Sequence, residues 1–157
     1  SNIDVSEVVS NWKKIKEEEK REQGKETSTL IKDKVLFYPS LYSAYQIGKA
    51  TQKIKFDWDD VSQVMYKVEE EWQELKEELT PQKQKNQAAI EEEFGDFLFS
   101  VINYGRFLGI NSENALEKTN RKFSRRFKEM ETIIKNDNLE LDKLSTTEML
   151  GYWNNLK

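Results

Sequence analysis

Two stretches of the chain decide its fold: residues 61–79, VSQVMYKVEEEWQELKEEL, and residues 88–108, AAIEEEFGDFLFSVINYGRFL. In both stretches apolar side chains recur at steps of three or four, the spacing that places them on one face of an α-helix. The first stretch stops shortly before Pro81, and the second is followed by Gly109, a residue type that commonly ends helices. The sequence therefore predicts two long amphipathic helices joined by a polar connection.

The same spacing continues outward from this pair of helices. Asp57 or Asp59 is expected to cap the first helix, because a carboxylate just before a helix accepts hydrogen bonds from its free N–H groups. The remaining predicted helices cover residues 4–20, about 14 residues after Pro39, residues 112 to about 136, and residues 146–156. A polar segment, residues 19–33, separates the first two of these. With only 6 Gly and 2 Pro and no strand-like alternation, the chain is predicted to be all-α.

Composition excludes several kinds of chemistry. A chain of 157 residues has the size of one domain, and it contains neither cysteine nor histidine. Thiol nucleophiles, zinc–thiolate sites, imidazole bases and Ser-His-Asp triads are therefore excluded. Any catalysis has to use carboxylates, Lys or Arg, hydroxyl groups and a hard cation.

The net charge and the apolar runs bear on location and partners. The net charge is −4, from 25 basic and 29 acidic side chains, which argues against a general nucleic-acid binder. The longest apolar run, residues 97–102, is far shorter than the roughly 20 residues of a membrane span, and the start of the chain carries no apolar signal region. We therefore expect a soluble, cytoplasmic protein that binds neither nucleic acid nor membranes, and the absence of cysteine fits a reducing compartment.

Carboxylates flank the apolar stripe of the first central helix. This stripe is centred on Val61, Val68, Trp72, Leu75 and Leu79. Glu71 and Glu74 fall together on one side of it, where side chains are half-buried in a packed helix. A solvated acidic face is the ordinary explanation for such glutamates, since Glu is a good helix former.

The second central helix makes that ordinary explanation weaker. It is apolar around most of its girth, so nearly all of residues 88–108 is expected to be buried, yet Glu93 and Asp96 lie three residues apart in its middle. No Lys or Arg occurs between Lys85 and Arg106 to neutralise them locally. Because a buried carboxylate needs a positive partner, either a residue of another helix or a metal ion has to supply it.

Convergence of the two acidic pairs would create a site for a divalent cation. Glu71, Glu74, Glu93 and Asp96 would then share one groove between the helices. A site made only of oxygen ligands suits Mg²⁺ or Mn²⁺, and bound Mg²⁺ commonly also takes phosphate oxygens from a substrate. The alternative is structural, with Asp96 paired to Arg106 or to an arginine of residues 121–126.

A basic segment follows these acidic helices along the chain. Residues 118–128 contain six basic side chains and no acidic one: Lys118, Arg121, Lys122, Arg125, Arg126 and Lys128. Lys118, Lys122 and Arg125 share one flank of the apolar stripe of their helix. Such residues often only extend over the core towards solvent. Beside an acidic metal site, however, the same cations would suit the oxygens of a polyphosphate.

Together these segments resemble the MazG family of nucleoside triphosphate pyrophosphohydrolases. The resemblance rests on KVEEEWQEL at 67–75, EEEFGDFLF at 91–99, RFLG at 106–109 and ALEKTNRKF at 115–123, which is followed by Arg125-Arg126-Phe127. Residues 55–58 and 12–16 extend it over most of the chain, and Thr119 replaces an expected Ala. The segments are most similar to the C-terminal, catalytically active module of two-module MazG proteins.

The resemblance implies a fold, an activity and a set of site residues. It implies an all-α, four-helix-bundle-like NTP pyrophosphatase fold with extra terminal helices, which forms a homodimer. The implied activity is Mg²⁺-dependent hydrolysis of an NTP or dNTP to the monophosphate and pyrophosphate through a metal-activated water. The implied metal ligands are Glu71, Glu74, Glu93 and Asp96, supported by Glu70. The implied substrate contacts are Asn103, Lys118, Lys122, Arg125, Arg126 and, for the base, Trp153 or Trp58.

Domain limits and two alternatives complete the prediction. Residues 1–2 are interpreted as a cloning remnant, residues 3–35 as an N-terminal helix with a polar linker, and residues 36–157 as the catalytic helical domain. A surplus of large apolar side chains in residues 40–135 also favours self-association. The alternatives are a narrower all-α dUTPase or dCTP pyrophosphatase, which would share the carboxylates, and a non-catalytic helical dimerisation module.

Overall fold

The computed structural model describes residues 5–23 and 29–156, and within these ranges the protein is helical and contains no β-strand. The predicted all-α class is confirmed. The structure has the α-helices α1 (Val5–Gln23), α2 (Ser40–Gln52), α3 (Val61–Glu78), α4 (Gln87–Phe107), α5 (Ser112–Asn136) and α6 (Thr146–Asn154). Two short 3₁₀ helices, Asp33–Phe37 and Leu141–Lys143, were not predicted. None of the described helices is both apolar and long enough to cross a lipid bilayer.

The ends of α3 and α4 are formed by specific hydrogen bonds. Asp60 caps α3, because its carboxylate accepts hydrogen bonds from the backbone N–H groups of Ser62 at 2.7 Å and Gln63 at 3.1 Å. These hydrogen bonds, together with one from the Ser62 hydroxyl, lower the pKa of Asp60. The prediction that Asp57 or Asp59 caps this helix is therefore wrong. α4 ends just before Gly109, as predicted. Gly109 has a φ of +71°, a left-handed backbone conformation that is common for a glycine after a helix.

The predicted polar segment, residues 19–33, is partly helical. α1 continues to Gln23, beyond the predicted end at residue 20. Glu18 is buried, and its carboxylate accepts a hydrogen bond from Arg21 at 2.6 Å, which ties the last turns of the helix together. Residues 24–28 and the predicted cloning remnant lie outside the described residues. The predicted boundary between residues 35 and 36 stays a prediction.

The chain forms two compact units, Ser1–Glu113 and Asn114–Lys157. In the first unit α3 packs extensively along α4, α2 also packs on α4, and the first 3₁₀ helix contacts α1 and α2. Val64, Leu75 and Ile102 are buried in this unit. The second unit contains most of α5 together with α6. The metal-site candidates of α3 and α4 therefore belong to one packed helix pair.

The buried side of α3 differs from the predicted stripe. Val64, Glu71 and Leu75 are buried, whereas Val61 and Trp72 keep more than 40% of their surface exposed. The apolar stripe of α3 is wider than its contact with α4, and the contact buries the part around Val64 and Leu75. Trp72 is still 46% exposed although its ring centre lies 5.3 Å from that of Phe97 on α4. Glu71 was expected on a flank of the stripe and is in fact on the buried side.

The expectation that α4 is nearly all buried is wrong for the single chain. Phe94, Leu98, Phe99 and Val101 remain 39–51% exposed. α2 and α3 cover one side of α4, where Ser100, Ile102 and Arg106 are buried. The other apolar side is open in the chain by itself.

An ion pair joins the C-terminal part of α4 to the segment that leads into α3. The Arg106 side chain is 5% exposed, and its Nη2 donates a hydrogen bond to Oδ1 of Asp57 at 2.6 Å. Its Nε donates to Oδ1 of Asn103 at 2.9 Å. Gly48 of α2 makes room for this arrangement, because a Cβ atom at that position would lie 2.7 Å from the Arg106 Nε. The absence of a side chain at Gly48 therefore lets α2 and α4 pack closely around Arg106.

Replacing Asp57 by Asn should destabilise the protein by about 3 kcal/mol, because it leaves the Arg106 charge buried without its anionic partner. Urea unfolding followed by circular dichroism would measure this loss. The matched control is Glu117→Gln, which removes the exposed pair with Arg121, also at 2.6 Å, and should cost less than about 0.5 kcal/mol. Equal losses in the two variants would contradict the structural role assigned to Asp57.

Candidate metal centre

Three carboxylates from α3 and α4 meet in one place. Glu71 and Glu74 lie three residues apart on α3, and Glu93 lies on α4. One carboxylate oxygen from each of them lies within 4.8 Å of the others. The spacing of three residues puts both α3 carboxylates on the same side of the helix, and the packing of α4 brings Glu93 to them. The structure thus brings together three of the four predicted metal ligands.

The three carboxylates differ in exposure and disfavour one another's charge. Glu71 is buried, Glu93 is half-buried and Glu74 is exposed. Partial loss of water and the charge of Glu71 raise the pKa of Glu74, against an opposing effect of Lys67. Partial loss of water raises the pKa of Glu93, and the charges of Asp96 and Glu71 raise it further. The cluster therefore carries more negative charge than its surroundings neutralise.

A lysine of α3 provides positive charge at the buried end of this cluster. The Lys67 Nζ lies 2.5 Å from Oε1 of Glu71 and 3.0 Å from Oε2 of Glu70. The hydrogen bond to Glu71 raises the pKa of Lys67 above its ordinary value. This role of Lys67 was not predicted from the sequence. Its spacing of four residues from Glu71, which is typical of ion pairs along a helix, was the signal that could have identified it.

Asp96, the fourth predicted ligand, is exposed on α4. It is not a member of the three-carboxylate group, although its charge acts on Glu93. The alternative partner considered for it, Arg106, instead binds Asp57. Metal binding by Asp96 stays a prediction.

Asn103 has a structural contact in this chain. Its Oδ1 accepts a hydrogen bond from the Arg106 Nε at 2.9 Å, so this oxygen helps to hold the ion pair with Asp57. Its predicted contact with a substrate stays a prediction.

The predicted phosphate-binding and base-binding residues lie in the second unit. Lys118, Lys122 and Arg125 are exposed on α5. Arg126 is half-buried, and its guanidinium carbon lies 4.4 Å from the centre of the Trp153 ring. Its Nη2 donates to the Trp153 carbonyl at 3.5 Å, and its buried Nε has no hydrogen-bond partner. α5 and α6 therefore bring together two residues that are 27 positions apart in sequence.

Trp153 also packs against a second aromatic ring of α5. The centres of the Trp153 and Phe123 rings lie 4.9 Å apart at an angle of 44°. Phe123 in turn stacks on Phe127, with ring centres 6.2 Å apart. Trp153 therefore contacts both an arginine and an aromatic ring of α5.

The acidic group fits a hard divalent cation. Its ligands are carboxylate oxygens from two helices, the donor set that Mg²⁺ and Mn²⁺ prefer over softer metals. A cation would also relieve the repulsion that raises the pKa values of Glu74 and Glu93. The residues present are thus suited to hold such an ion.

Comparison with known proteins agrees with this geometry. Residues 59–130 match the sequence model of the MazG nucleotide pyrophosphohydrolase domain, a range that includes all three clustered carboxylates. The chain is 41% identical over 146 residues to the nucleoside triphosphate pyrophosphohydrolase/pyrophosphatase MazG of Thermotoga maritima, covering 93% of this chain and 54% of that protein. It is 37% identical over 152 residues to the nucleoside triphosphate pyrophosphohydrolase of Escherichia coli K12, covering 97% of this chain and 57% of that protein.

A shorter similarity is confined to the middle of the chain. Over 68 residues it is 43% identical to the uncharacterized protein YabN of Bacillus subtilis, covering 43% of this chain and 14% of that protein. The chain spans a little more than half the length of the Thermotoga maritima and Escherichia coli relatives. Trp153 lies outside the range that matches the domain model.

Replacing Glu74 by Gln should raise the melting temperature of the metal-free protein near pH 7. The raised pKa of Glu74 means that its ionised form is less favourable in the folded than in the unfolded chain. This penalty is present above the folded-state pKa and disappears as the pH falls below the unfolded value of 4.5. Melting curves between about pH 7 and pH 4, with EDTA present, should show the advantage of Glu74→Gln shrinking as the pH falls.

Glu69→Gln is the matched control for this comparison, because Glu69 is an exposed glutamate of the same helix and lies outside the cluster. Its substitution should leave the melting temperature nearly unchanged across the same pH range. A Glu74→Gln variant that melts below the wild type near pH 7 would contradict the inferred repulsion.

Proposed function

Because residues 59–130 are a MazG nucleotide pyrophosphohydrolase domain, we propose that this chain acts in the cytoplasm as a metal-dependent hydrolase of nucleoside triphosphates. The products are the nucleoside monophosphate and pyrophosphate, with NTPs and dNTPs as the substrate class. The observation that carries the proposal is the convergence of Glu71, Glu74 and Glu93 inside the matched range. The similar proteins of Thermotoga maritima and Escherichia coli are nucleoside triphosphate pyrophosphohydrolases, which supports the proposal.

The cation in this proposal is Mg²⁺, with Mn²⁺ as a substitute. Glu71, Glu74 and Glu93 would hold it, and we add Asp96 as a fourth ligand because its charge already acts on Glu93. A bound divalent cation supplies Lewis-acid chemistry, which neutralises phosphate charge and makes water a better nucleophile at neutral pH. The protein contributes the acidic, partly desolvated groove that concentrates this charge.

The remaining chemistry falls to side chains of this chain. Since the chain has no histidine, a carboxylate has to accept the proton of the attacking water. Glu70 is suited to orient that water or to support the ligands, because Lys67 holds its carboxylate beside Glu71. We place the attack of water at the α-phosphorus, so the bond from this phosphorus to the bridging oxygen breaks and negative charge develops on the departing pyrophosphate. Cationic side chains that bind this group stabilise the charge.

We assign binding of the triphosphate to Lys118, Lys122, Arg125 and Arg126 of α5. The first three are exposed, so their donors are accessible to phosphate oxygens. Arg126 is half-buried and carries the same charge beside Trp153. Asn103 would add a polar contact through its side-chain amide group.

We assign stacking of the base to Trp153. It is already ordered by Arg126 and Phe123, and a pre-ordered aromatic ring loses little freedom when a base stacks on it. Trp58 is the alternative and is 43% exposed in the segment before α3.

We further propose that a second copy of the chain covers the open apolar sides of α3 and α4. Exposed large apolar residues at helical spacing form a stripe on each helix: Val61, Met65 and Trp72, followed by Leu79, on α3, and Phe94, Leu98 and Val101 on α4. Phe99 is also exposed, on another side of α4. Stripes of this extent are unusual on a monomer and typical of an interface. Trp12 and Trp58 of the predicted surplus are also exposed, whereas Tyr104 and Phe107 are half-buried within the chain.

Pyrophosphate release from a panel of NTPs and dNTPs should require Mg²⁺ or Mn²⁺. Replacing Glu71 or Glu93 by Gln should lower turnover by roughly 100-fold or more, because a ligand of the cation is lost. Circular dichroism should show that both variants keep their helical content. Glu69→Gln is the control and should keep wild-type turnover. Metal-independent turnover, or full activity in both ligand variants, would contradict the proposed site and favour a dimerisation module.

Lys118→Ala and Lys122→Ala should each lower turnover or nucleotide affinity at least about tenfold, which corresponds to about 1.4 kcal/mol, since each loses a charge-assisted contact to phosphate. The loss should be similar for purine and pyrimidine triphosphates, because phosphate carries no base identity. Lys135→Ala, an exposed lysine in the last turn of α5, is the control. Wild-type kinetics in both lysine variants would remove this stripe from the site.

Trp153→Ala should change the relative rates for different bases, because stacking depends on the base that is stacked. Kinetics on at least one purine and one pyrimidine triphosphate would measure this. A uniform loss across all bases would instead assign Trp153 the role of positioning Arg126.

Light scattering at micromolar concentration should show a homodimer or a larger oligomer. Phe94→Glu, together with Leu98→Glu, should shift the mass towards the monomer, because it places charge in the open apolar stripe of α4. A wild-type monomer at that concentration would contradict the proposed self-association.

A further inference from the structure

Lys67 occupies a distinctive place beside the carboxylate group. Its ammonium lies 2.5 Å from Glu71, the most buried carboxylate of the three, and 3.0 Å from Glu70, which is 45% exposed. It therefore connects the inner carboxylate of the site to one on the outer side of α3. The lysine side chain itself is 34% exposed, so water reaches one side of it.

The negative charges of the three carboxylates explain why the Lys67 ammonium lies beside Glu71. Glu71, Glu74 and Glu93 carry a formal charge of −3 within a small volume, counting one unit for each carboxylate. Glu71 is buried, and a buried carboxylate is unfavourable unless a positive group neutralises it. Lys67 does this through a direct hydrogen bond. The protein thus contains its own partial substitute for a metal ion.

A divalent cation at the same carboxylates changes this balance. It would bring two positive charges to Glu71, close to the ammonium that already contacts that residue. Like charges at such short separation repel strongly where water is partly excluded. Lysine has a flexible four-carbon stem, and Glu70 offers an exposed second partner on the outer side. The ammonium can therefore leave Glu71 without losing every anionic contact.

We propose that Lys67 is an internal counter-ion, which neutralises Glu71 in the metal-free protein and is displaced towards Glu70 and solvent by an incoming divalent cation. This inference rests on the proposed function, because it requires a metal to bind at Glu71, Glu74 and Glu93. The contact between Lys67 and Glu71 then sets the concentration of divalent cation at which the site becomes occupied. It stabilises the empty site and weakens metal binding by the strength of the contact that has to be broken.

The first experiment measures Mg²⁺ binding to the metal-stripped protein by calorimetry, without nucleotide. Lys67→Gln should bind Mg²⁺ at least about tenfold more tightly than the wild type, because no charge-assisted hydrogen bond has to be given up. Lys76→Gln is the matched control: it removes the same charge from the same helix, but Lys76 lies over the Trp72 ring at 5.8 Å. It should change the affinity by less than about twofold. Weaker binding in Lys67→Gln would overturn the proposal and identify Lys67 as a residue that positions Glu71.

The second experiment compares melting temperatures with EDTA and with saturating Mg²⁺. Lys67→Gln should melt below the wild type in EDTA, where Glu71 loses its partner, and at the same temperature in Mg²⁺, where the contact is already broken. An equal loss in both conditions would mean that the ion pair persists beside the metal, and it would overturn the displacement.

Crystal structures of the wild type with and without Mg²⁺ provide a test that needs no variant. The distance between the Lys67 Nζ and the nearest Glu71 oxygen should stay within about 4 Å without the metal and exceed it with the metal. An unbroken pair in the Mg²⁺ structure would overturn the proposal. If calorimetry detects no Mg²⁺ binding to either the wild type or Lys67→Gln, the proposed metal site itself is wrong. If Mg²⁺ binds but the ion pair stays intact, only the displacement of Lys67 is wrong.

Discussion

Glu71 is a carboxylate buried between two packed helices, and the need to neutralise its charge shapes the residues around it. Water cannot solvate it fully, so the chain supplies a direct contact from Lys67. Glu74 and Glu93 add further negative charge within 4.8 Å, and partial burial with mutual repulsion raises their pKa values. At the buried position of Glu71, an apolar side chain of similar volume would be no less stable than a carboxylate that needs a counter-charge.

The same helix pair explains the open apolar surface. Contact between α3 and α4 buries Glu71, Leu75 and Ile102, and it places the Trp72 ring 5.3 Å from the ring of Phe97. Trp72 and Phe94 nevertheless keep 46% and 51% of their surface exposed. The carboxylate group and the exposed apolar surface thus both follow from the packing of these two helices.

Neighbouring charged residues are kept apart from the acidic group by contacts of their own. Arg106 would be an obvious partner for a carboxylate of α4, yet it is committed to Asp57 and Asn103 at the far end of the helix. Gly48 leaves the space that the Arg106 side chain needs to make these contacts. Asp96, which has no ion pair among the described residues, raises the pKa of Glu93 through its charge. In the second unit, the contact between Arg126 and Trp153 orders two candidate nucleotide-binding residues in a comparable way.

The sequence by itself determined the helical class, the approximate limits of the central helices and the spacing of the carboxylates along each helix. These features depend on local periodicity and on spacings of three or four residues, which are properties of a single helix and do not depend on what packs against it. Only the tertiary structure decided that Asp60 rather than Asp57 caps α3, that Glu71 lies on the buried side, and that Lys67 is its counter-ion. Periodicity defines the faces of a helix, but when several faces are apolar, burial is decided by which one the partner helix covers. The partner of a charge is likewise decided by which groups the packing brings within hydrogen-bonding distance.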